Sequence, residues 1–132
     1  MSAGPEEIAA AVARLRAGGV VAFPTETVYG LGADALSPGA IARVFALKGR
    51  PAHNPLIVHV ADETMARTVA AQWPDSASRL ARAFWPGPLT LVLQAQTSLL
   101  WDLGETNGTV AVRMPDDEVA LALLRETGPL AV

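Results

Sequence analysis

The sequence contains no cysteine, and this absence removes several kinds of chemistry at once. Disulfide bonds, thiolate zinc sites, iron–sulfur clusters and a cysteine nucleophile are all excluded. Only two histidines are present, His53 and His59, and two imidazoles cannot fill a multi-histidine metal site. We therefore predict no metal site built from the side chains of this chain alone.

Long apolar runs and a strong charge are also missing. No apolar run approaches the roughly 18 residues that span a bilayer, and the first residues lack the basic and apolar regions of an export signal. The net charge of −3 argues against non-specific nucleic-acid binding, so a tRNA contact would need a local cationic patch. With 51% hydrophobic and 17% charged residues the chain is too apolar for disorder. We expect a cytoplasmic globular protein without membrane association.

Helical and strand patterns alternate along the chain. Apolar spacing and proline or glycine boundaries predict helices at 5–17, 38–48, 62–72, 75–85 and 116–126. In the fourth helix the pattern puts Leu80, Phe84 and Trp85 on one side. Apolar runs predict strands at 20–23, 56–60, 89–93 and 109–113. This order predicts one α/β domain over residues 1–132, with a sheet that helices cover on at least one face.

The last residues predict a further strand. Leu130, Ala131 and Val132 begin an apolar run and the sequence then stops. A free carboxylate inside an apolar strand would bury a charge without a partner. We therefore expect the full protein to continue beyond Val132, which makes the domain incomplete at its C-terminus.

Two polar clusters follow predicted strands or helices near sheet ends, where α/β proteins bind ligands. Residues 24–32 place two hydroxyls, a carboxylate and a phenol after the first strand; the alternative is a loop that caps a helical turn. Lys48 and Arg50 flank Gly49, and two such cations can clamp a polyphosphate. The plainer interpretation of Lys48 is a cation that offsets a helix macrodipole.

A third cluster lies on the last long strand. Thr109 and Arg113 are four residues apart, so both side chains project from one face of the strand. A buried arginine needs a carboxylate partner, whereas the alternative is an exposed arginine at a strand end. His59 lies within an apolar strand and by default is a hydrogen-bonded core histidine.

Taken together, these segments resemble the YrdC-like family of L-threonylcarbamoyladenylate synthases. The similarity runs in order from about residue 5 to Val132 and rests on the segments 24–32, 48–51, 54–56, 84–90 and 109–115. The resemblance implies a twisted, open, mixed sheet with flanking helices. It also implies a nucleotidyltransferase that forms L-threonylcarbamoyl-AMP and pyrophosphate from L-threonine, bicarbonate or CO₂, and ATP.

The resemblance further implies roles for individual residues. Thr27, His59 and Arg113 would bind L-threonine, and Lys48, Arg50, Asn54 and Thr109 would face ATP, with Mg²⁺ on the phosphates. Lys48 and Arg50 would be the catalytic pair. A tRNA-modifying transferase complex would then move the threonylcarbamoyl group to the adenosine next to the anticodon, which makes that complex and tRNA the expected partners.

One departure and two alternatives accompany the resemblance. The family carries a Ser-x-Asn segment just after the strand that begins at Leu130, and this sequence stops before it. A non-catalytic module for double-stranded RNA or tRNA is one alternative, with the densest basic stretch at Arg43, Lys48, Arg50 and His53. The other is a YrdC-like domain of a larger carbamoyltransferase that handles carbamoyl-adenylate.

Overall fold

Helices and strands alternate through the protein. The computed structural model describes residues 4–49, 55–96 and 108–132. Within these ranges the helices are α1 (Pro5–Arg16), α2 (Pro38–Lys48), α3 (Glu63–Val69), α4 (Asp75–Phe84) and α5 (Glu118–Thr127). The strands are β1 (Val21–Pro24), β2 (Tyr29–Asp34), β3 (Val58–His59), β4 (Thr90–Gln94), β5 (Thr109–Arg113) and β6 (Leu130–Ala131). None of the helices described is long and apolar enough to cross a membrane.

The strands form one open sheet in the order β1-β2-β6-β3-β5-β4. Strands β3 and β5 are parallel, and every other neighbouring pair is antiparallel. The predicted mixed α/β fold is therefore confirmed. Strand β6 lies between β2 and β3, so the apolar run at the end of the sequence forms a central strand.

Helices cover both faces of the sheet. Successive residues of a strand point to opposite faces, and the neighbours Leu130 and Ala131 accordingly belong to different core clusters. Ala131 packs with residues of β3, β5, α2 and α3, which include Val58, Val112, Ile41, Val44 and Val69. Leu130 packs with residues of β1, α1 and α5, which include Phe23, Val12, Leu15, Leu123 and Leu124.

Strand β2 was not predicted from the sequence, which indicated only a polar loop over residues 24–32. Tyr29 of β2 instead pairs with Pro24 of β1, so the two strands form a hairpin. Glycine is depleted in strands, and Gly30 and Gly32 conceal the alternating pattern. Both face Val132: a Cβ on Gly30 would lie 2.6 Å from Val132 Cγ1.

The predicted apolar side of α4 was wrong. Leu80 and Phe84 are 42% and 58% exposed, and the buried residues of the helix are Ala77, Ser78 and Ala81. The polar Ser78 is buried because its hydroxyl bonds to side chains of neighbouring elements. An apolar pattern does not reveal a buried face that is made of small side chains and a serine.

Candidate functional site

Two polar residues lie side by side at the carboxyl ends of the parallel strands. His59 ends β3, Arg113 ends β5, and their Cα atoms are partners in the parallel ladder. Laterally paired residues project from the same face of a sheet. Ligands of open α/β sheets bind outside the carboxyl ends of the strands, so this pair marks the candidate site.

Arg113 is held by two elements that are distant in sequence. The residue is only 8% exposed. Its Nε donates to the carbonyl oxygen of Gly87 at 3.0 Å, and its Nη2 forms an ion pair with Glu26. The prediction that a buried Arg113 has a carboxylate partner is confirmed, and this partner comes from the first polar cluster. The first and third clusters therefore meet in space.

The sequence did not predict which carboxylate pairs with Arg113. The chain has 13 acidic residues, and Glu26 lies 87 positions away from Arg113. The available signal was the cost of an unpaired buried guanidinium together with a carboxylate in a turn bounded by proline and glycine. That signal reduces the number of candidate carboxylates, but only the tertiary fold identifies Glu26 as the partner of Arg113.

His59 is a buried, neutral histidine. It is 3% exposed, and its Nδ1 lies 3.3 Å from the carbonyl oxygen of Ile57, so Nδ1–H donates and the unprotonated Nε2 is an acceptor. Burial is the main reason why the pKa of His59 falls to about 4, and the charges of Arg113 and Lys48 add to this effect. The hydrogen bond to Ile57 and the charge of Glu26 act in the opposite direction. His59 is thus buried and hydrogen-bonded, as the default prediction has it, and its role toward a ligand stays a prediction.

One atom of each of these two side chains is open to solvent. Neither Arg113 Nη1 nor His59 Nε2 makes a hydrogen bond to a residue that the structure describes. Across the same residues, no buried side-chain nitrogen or oxygen lacks a partner. Both atoms must therefore reach solvent, although the residues that carry them are otherwise buried. The two paired residues thus supply one donor and one acceptor that the protein itself does not use.

The turn that carries Glu26 and Thr27 closes the β1–β2 hairpin, so the alternative of a helix-capping loop is wrong. The Thr25 hydroxyl donates to the Val28 carbonyl and accepts from the Val28 N–H at 3.2 Å. The Thr27 hydroxyl lies 3.1 Å from that of Thr25. Since the single Thr25 hydroxyl proton goes to Val28, Thr27 donates to Thr25 and keeps its own lone pairs for another donor.

Lys48 is the last residue of α2 and the only lysine of the chain. Gly49 ends the helix with a left-handed backbone (φ 61°), a conformation that glycine adopts without strain. The charge of Lys48 is the smallest of the effects that lower the pKa of His59. Arg50 and Asn54 lie outside the described residues, and their roles stay predictions.

Thr109 begins the strand that Arg113 ends. The two residues alternate with the buried Val110 and Val112, as predicted for side chains on one face. A strand rises about 3.3 Å per residue, which separates Thr109 from Arg113 by about 13 Å along β5. A single ligand that contacts both residues must be extended.

The donor set of the site suits anions better than metal ions. In the ranges 4–49, 55–96 and 108–132 no group of three or more His, Asp or Glu residues could hold a metal. Both oxygens of the Glu26 carboxylate already accept hydrogen bonds. A magnesium ion at this site would therefore be held mainly by the phosphates of a bound nucleotide.

These features define a class: an open α/β protein with a polar candidate site at the ends of its parallel strands. The model of the Sua5/YciO/YrdC family, whose description is "telomere recombination", matches residues 13–132. The chain belongs to this family. The resemblance noted from the sequence is thereby confirmed.

Proteins of known name and structure agree with this assignment. The threonylcarbamoyl-AMP synthase of Bacillus subtilis is 48% identical over 134 residues, which cover 99% of this chain and 38% of that protein. The crystal structure of Pyrococcus abyssi Sua5 complexed with L-threonine has a TM-score of 0.93 at 46% identity, over 99% of this chain and 39% of that one. Escherichia coli YciO has a TM-score of 0.87 at 26% identity, over 98% and 64%. The chain thus spans well under half the length of the first two relatives.

Proposed function

We propose that the protein acts as an L-threonylcarbamoyl-AMP synthase, a nucleotidyltransferase that uses L-threonine, bicarbonate or CO₂, and ATP. The observation that carries the proposal is the pairing of His59 and Arg113 at the ends of β3 and β5, where Arg113 Nη1 and His59 Nε2 each make no hydrogen bond within the described residues. A relative with the same fold is complexed with L-threonine, and the Bacillus subtilis relative carries the name of this synthase.

The threonine end of the site follows from the chemistry of its open atoms. The Arg113 guanidinium donates to the substrate carboxylate, for which its planar fork is well matched. His59 Nε2 and the lone pairs of Thr27 are acceptors for the amine and the hydroxyl of threonine. A neutral His59 leaves the amine without an additional positive neighbour, which favours the uncharged amine that must react with CO₂.

The nucleotide end of the site would use Lys48, Arg50, Asn54 and Thr109. The threonine amine and CO₂ form a carbamate and release a proton, whereas the amine and bicarbonate form a carbamate and water. A carbamate oxygen then attacks the α-phosphorus of ATP, and the bond to the leaving pyrophosphate breaks. Such transfers depend on positioning and charge neutralisation, for which Lys48 and Arg50 are suited as the catalytic pair. Mg²⁺ bound to the phosphates would neutralise further charge.

The product requires a second enzyme. Threonylcarbamoyl-AMP is an activated acyl donor, and we propose that a tRNA-modifying transferase complex in the cytoplasm transfers its threonylcarbamoyl group to the adenosine next to the anticodon. This assignment of partners and compartment rests on the family resemblance.

The test is a reaction of the protein with ATP, bicarbonate and L-threonine, analysed by mass spectrometry for threonylcarbamoyl-AMP and by a pyrophosphate assay. We expect both products, and neither when threonine is omitted. Carbamoyl-AMP formed from carbamoyl phosphate and ATP in the absence of threonine would instead indicate the carbamoyltransferase alternative. Salt-sensitive retention of tRNA without ATP, combined with no threonine binding, would contradict the proposal and favour the RNA-binding alternative.

A further inference from the structure

Glu26 joins two parts of the site that are far apart in sequence. Its Oε1 pairs with Arg113 Nη2, and its Oε2 accepts from the backbone N–H of Asp116 at 2.8 Å. The carboxylate therefore connects the turn of the β1–β2 hairpin to both the last residue of β5 and the loop after it. Thr27 directly follows Glu26, so the same carboxylate also locates Thr27.

The bonds of Arg113 determine which of its donors stay open. Nε is used by the Gly87 carbonyl and Nη2 by Glu26, and these two nitrogens share one edge of the planar guanidinium. Two bonds on one edge, made to separate elements, fix the rotation of the whole group. The Nη1 end is left to face solvent.

We infer that Glu26 is a positioning residue, which orients the Arg113 guanidinium so that its Nη1 end receives the carboxylate of the substrate. This inference rests on the proposed function, because that function supplies the carboxylate. Glu26 does not itself touch the substrate in this arrangement. It acts through Arg113, whose guanidinium it orients. Through the hairpin turn it also sets the position of Thr27.

A different role for Glu26 would be to occupy the carboxylate position until the substrate displaces it. Two observations disfavour this role. Displacement would also break the bond from Glu26 Oε2 to Asp116, and Arg113 already has an open end that needs no displacement. Under the displacement role, removal of the carboxylate would strengthen threonine binding, which makes the two roles distinguishable.

The test compares two ligands in calorimetric titrations of the protein and its variants. L-threonine carries the carboxylate, and L-threoninol replaces it with an alcohol. We expect Glu26→Ala to weaken L-threonine binding roughly ten- to hundredfold, the range for a hydrogen bond to a charged group, with L-threoninol changed less than threefold. Glu26→Gln should cause an intermediate loss of L-threonine affinity. The glutamine amide has one acceptor oxygen for the two donors, Arg113 Nη2 and the backbone N–H of Asp116. The matched control is Glu126→Gln, an exposed carboxylate on α5 that should change neither affinity.

Three results would overturn the inference: equal loss for both ligands, unchanged L-threonine binding, or tighter L-threonine binding by Glu26→Ala. In an Arg113→Ala background, the Glu26→Ala change should add less than a twofold further loss. A failure of the wild type to bind L-threonine would refute the proposed function instead. In that case nitrogen NMR of Arg113 still tests the positioning role of Glu26. If Glu26 holds the guanidinium, rotation of that group is slow in the wild type and becomes fast in Glu26→Ala.

Discussion

Two carboxylates in this protein each collect several donors, and their surroundings differ in one respect. Glu63 on α3 accepts from Ser78 Oγ at 2.5 Å, Trp73 Nε1 at 2.7 Å and Arg67 Nη2 at 3.1 Å. Each of these donors comes from α3, α4 or the segment between them. In the Glu26 cluster both carboxylate oxygens accept hydrogen bonds, and the buried Arg113 keeps Nη1 without a partner among the described residues.

The difference separates a structural cluster from the proposed binding cluster. In the Glu63 cluster the polar groups bond to one another, and Trp73 further contacts the Trp85 ring at 6.1 Å between centroids. All three donors meet one oxygen, Glu63 Oε1, and this network joins α3 to α4. In the Glu26 cluster the protein bonds orient the groups and leave donor and acceptor atoms for something else. Open atoms on otherwise buried residues are therefore the mark of the site.

The largest effect is expected from removal of the open donor itself. Arg113→Ala should weaken L-threonine binding by about a hundredfold or more, because it removes a buried cation and leaves Glu26 unpaired. ATP affinity should change little. Calorimetry with each ligand measures both effects, with the exposed Arg79→Ala as control. Equal threonine affinity in Arg113→Ala and wild type would refute the assignment of Arg113.

The second prediction concerns Lys48. Lys48→Met should lower turnover about tenfold or more while threonine affinity stays within about threefold, since a phosphate-neutralising cation acts mainly in the transition state. As the only lysine, Lys48 also allows a direct labelling experiment. ATP should protect it from reductive methylation, while the N-terminal amine provides the internal control. Methylation at the same rate with and without ATP would place Lys48 outside the nucleotide site.

The third prediction is a pH dependence of stability. Because burial lowers the pKa of His59 from 6.5 to about 4, the unfolded chain binds a proton more readily than the folded protein. Stability should fall as the pH decreases from about 6.5 towards 4, by up to about 3 kcal/mol from this group. Denaturant unfolding at several pH values measures it, and His59→Gln should flatten the curve in this window. An equally steep curve for His59→Gln would assign the dependence to other groups.

The smallest effect on threonine binding is expected from changes in the Glu63 cluster. Hydrogen bonds from Ser78, Arg67 and Trp73 lower the pKa of Glu63 to about 2, so its contribution is present above the ordinary carboxyl pKa and is lost as the pH falls towards 2. Glu63→Gln should lower the unfolding midpoint modestly at neutral pH and leave threonine affinity unchanged. A loss of threonine affinity in this variant would contradict the separation of the two clusters.

Some of this organisation follows from local sequence rules, and some does not. The spacing of Val12 and Leu15 and the proline and glycine boundaries are local signals, and they predicted α1 and α2 closely. Strand β2 was missed because its glycines are needed where the side chain of Val132 approaches them closely, and Val132 lies about 100 positions away in the sequence. The buried face of α4 was missed because it depends on Glu63 and Trp73.

The site shows the same division. Alternation along β5 predicted that Thr109 and Arg113 share a face, and the cost of a buried cation predicted a carboxylate partner. The identity of Glu26 and the pairing of His59 with Arg113 depend on strand order, which no local rule supplies. Arg50 and Asn54 lie outside the described residues, and their roles stay predictions.

The most direct test of the central claim observes His59 Nε2. The chain has two histidines, so nitrogen NMR of histidine-labelled protein can be assigned with a His53→Gln variant. At pH 7 we expect an unprotonated Nε2 whose resonance shifts when L-threonine is added. The resonance of Nδ1, which is bonded to the carbonyl oxygen of Ile57, should stay nearly unchanged. An Nε2 resonance that does not move at saturating L-threonine, in a protein that remains folded, would contradict the claim that the strand-end pair binds the amino acid.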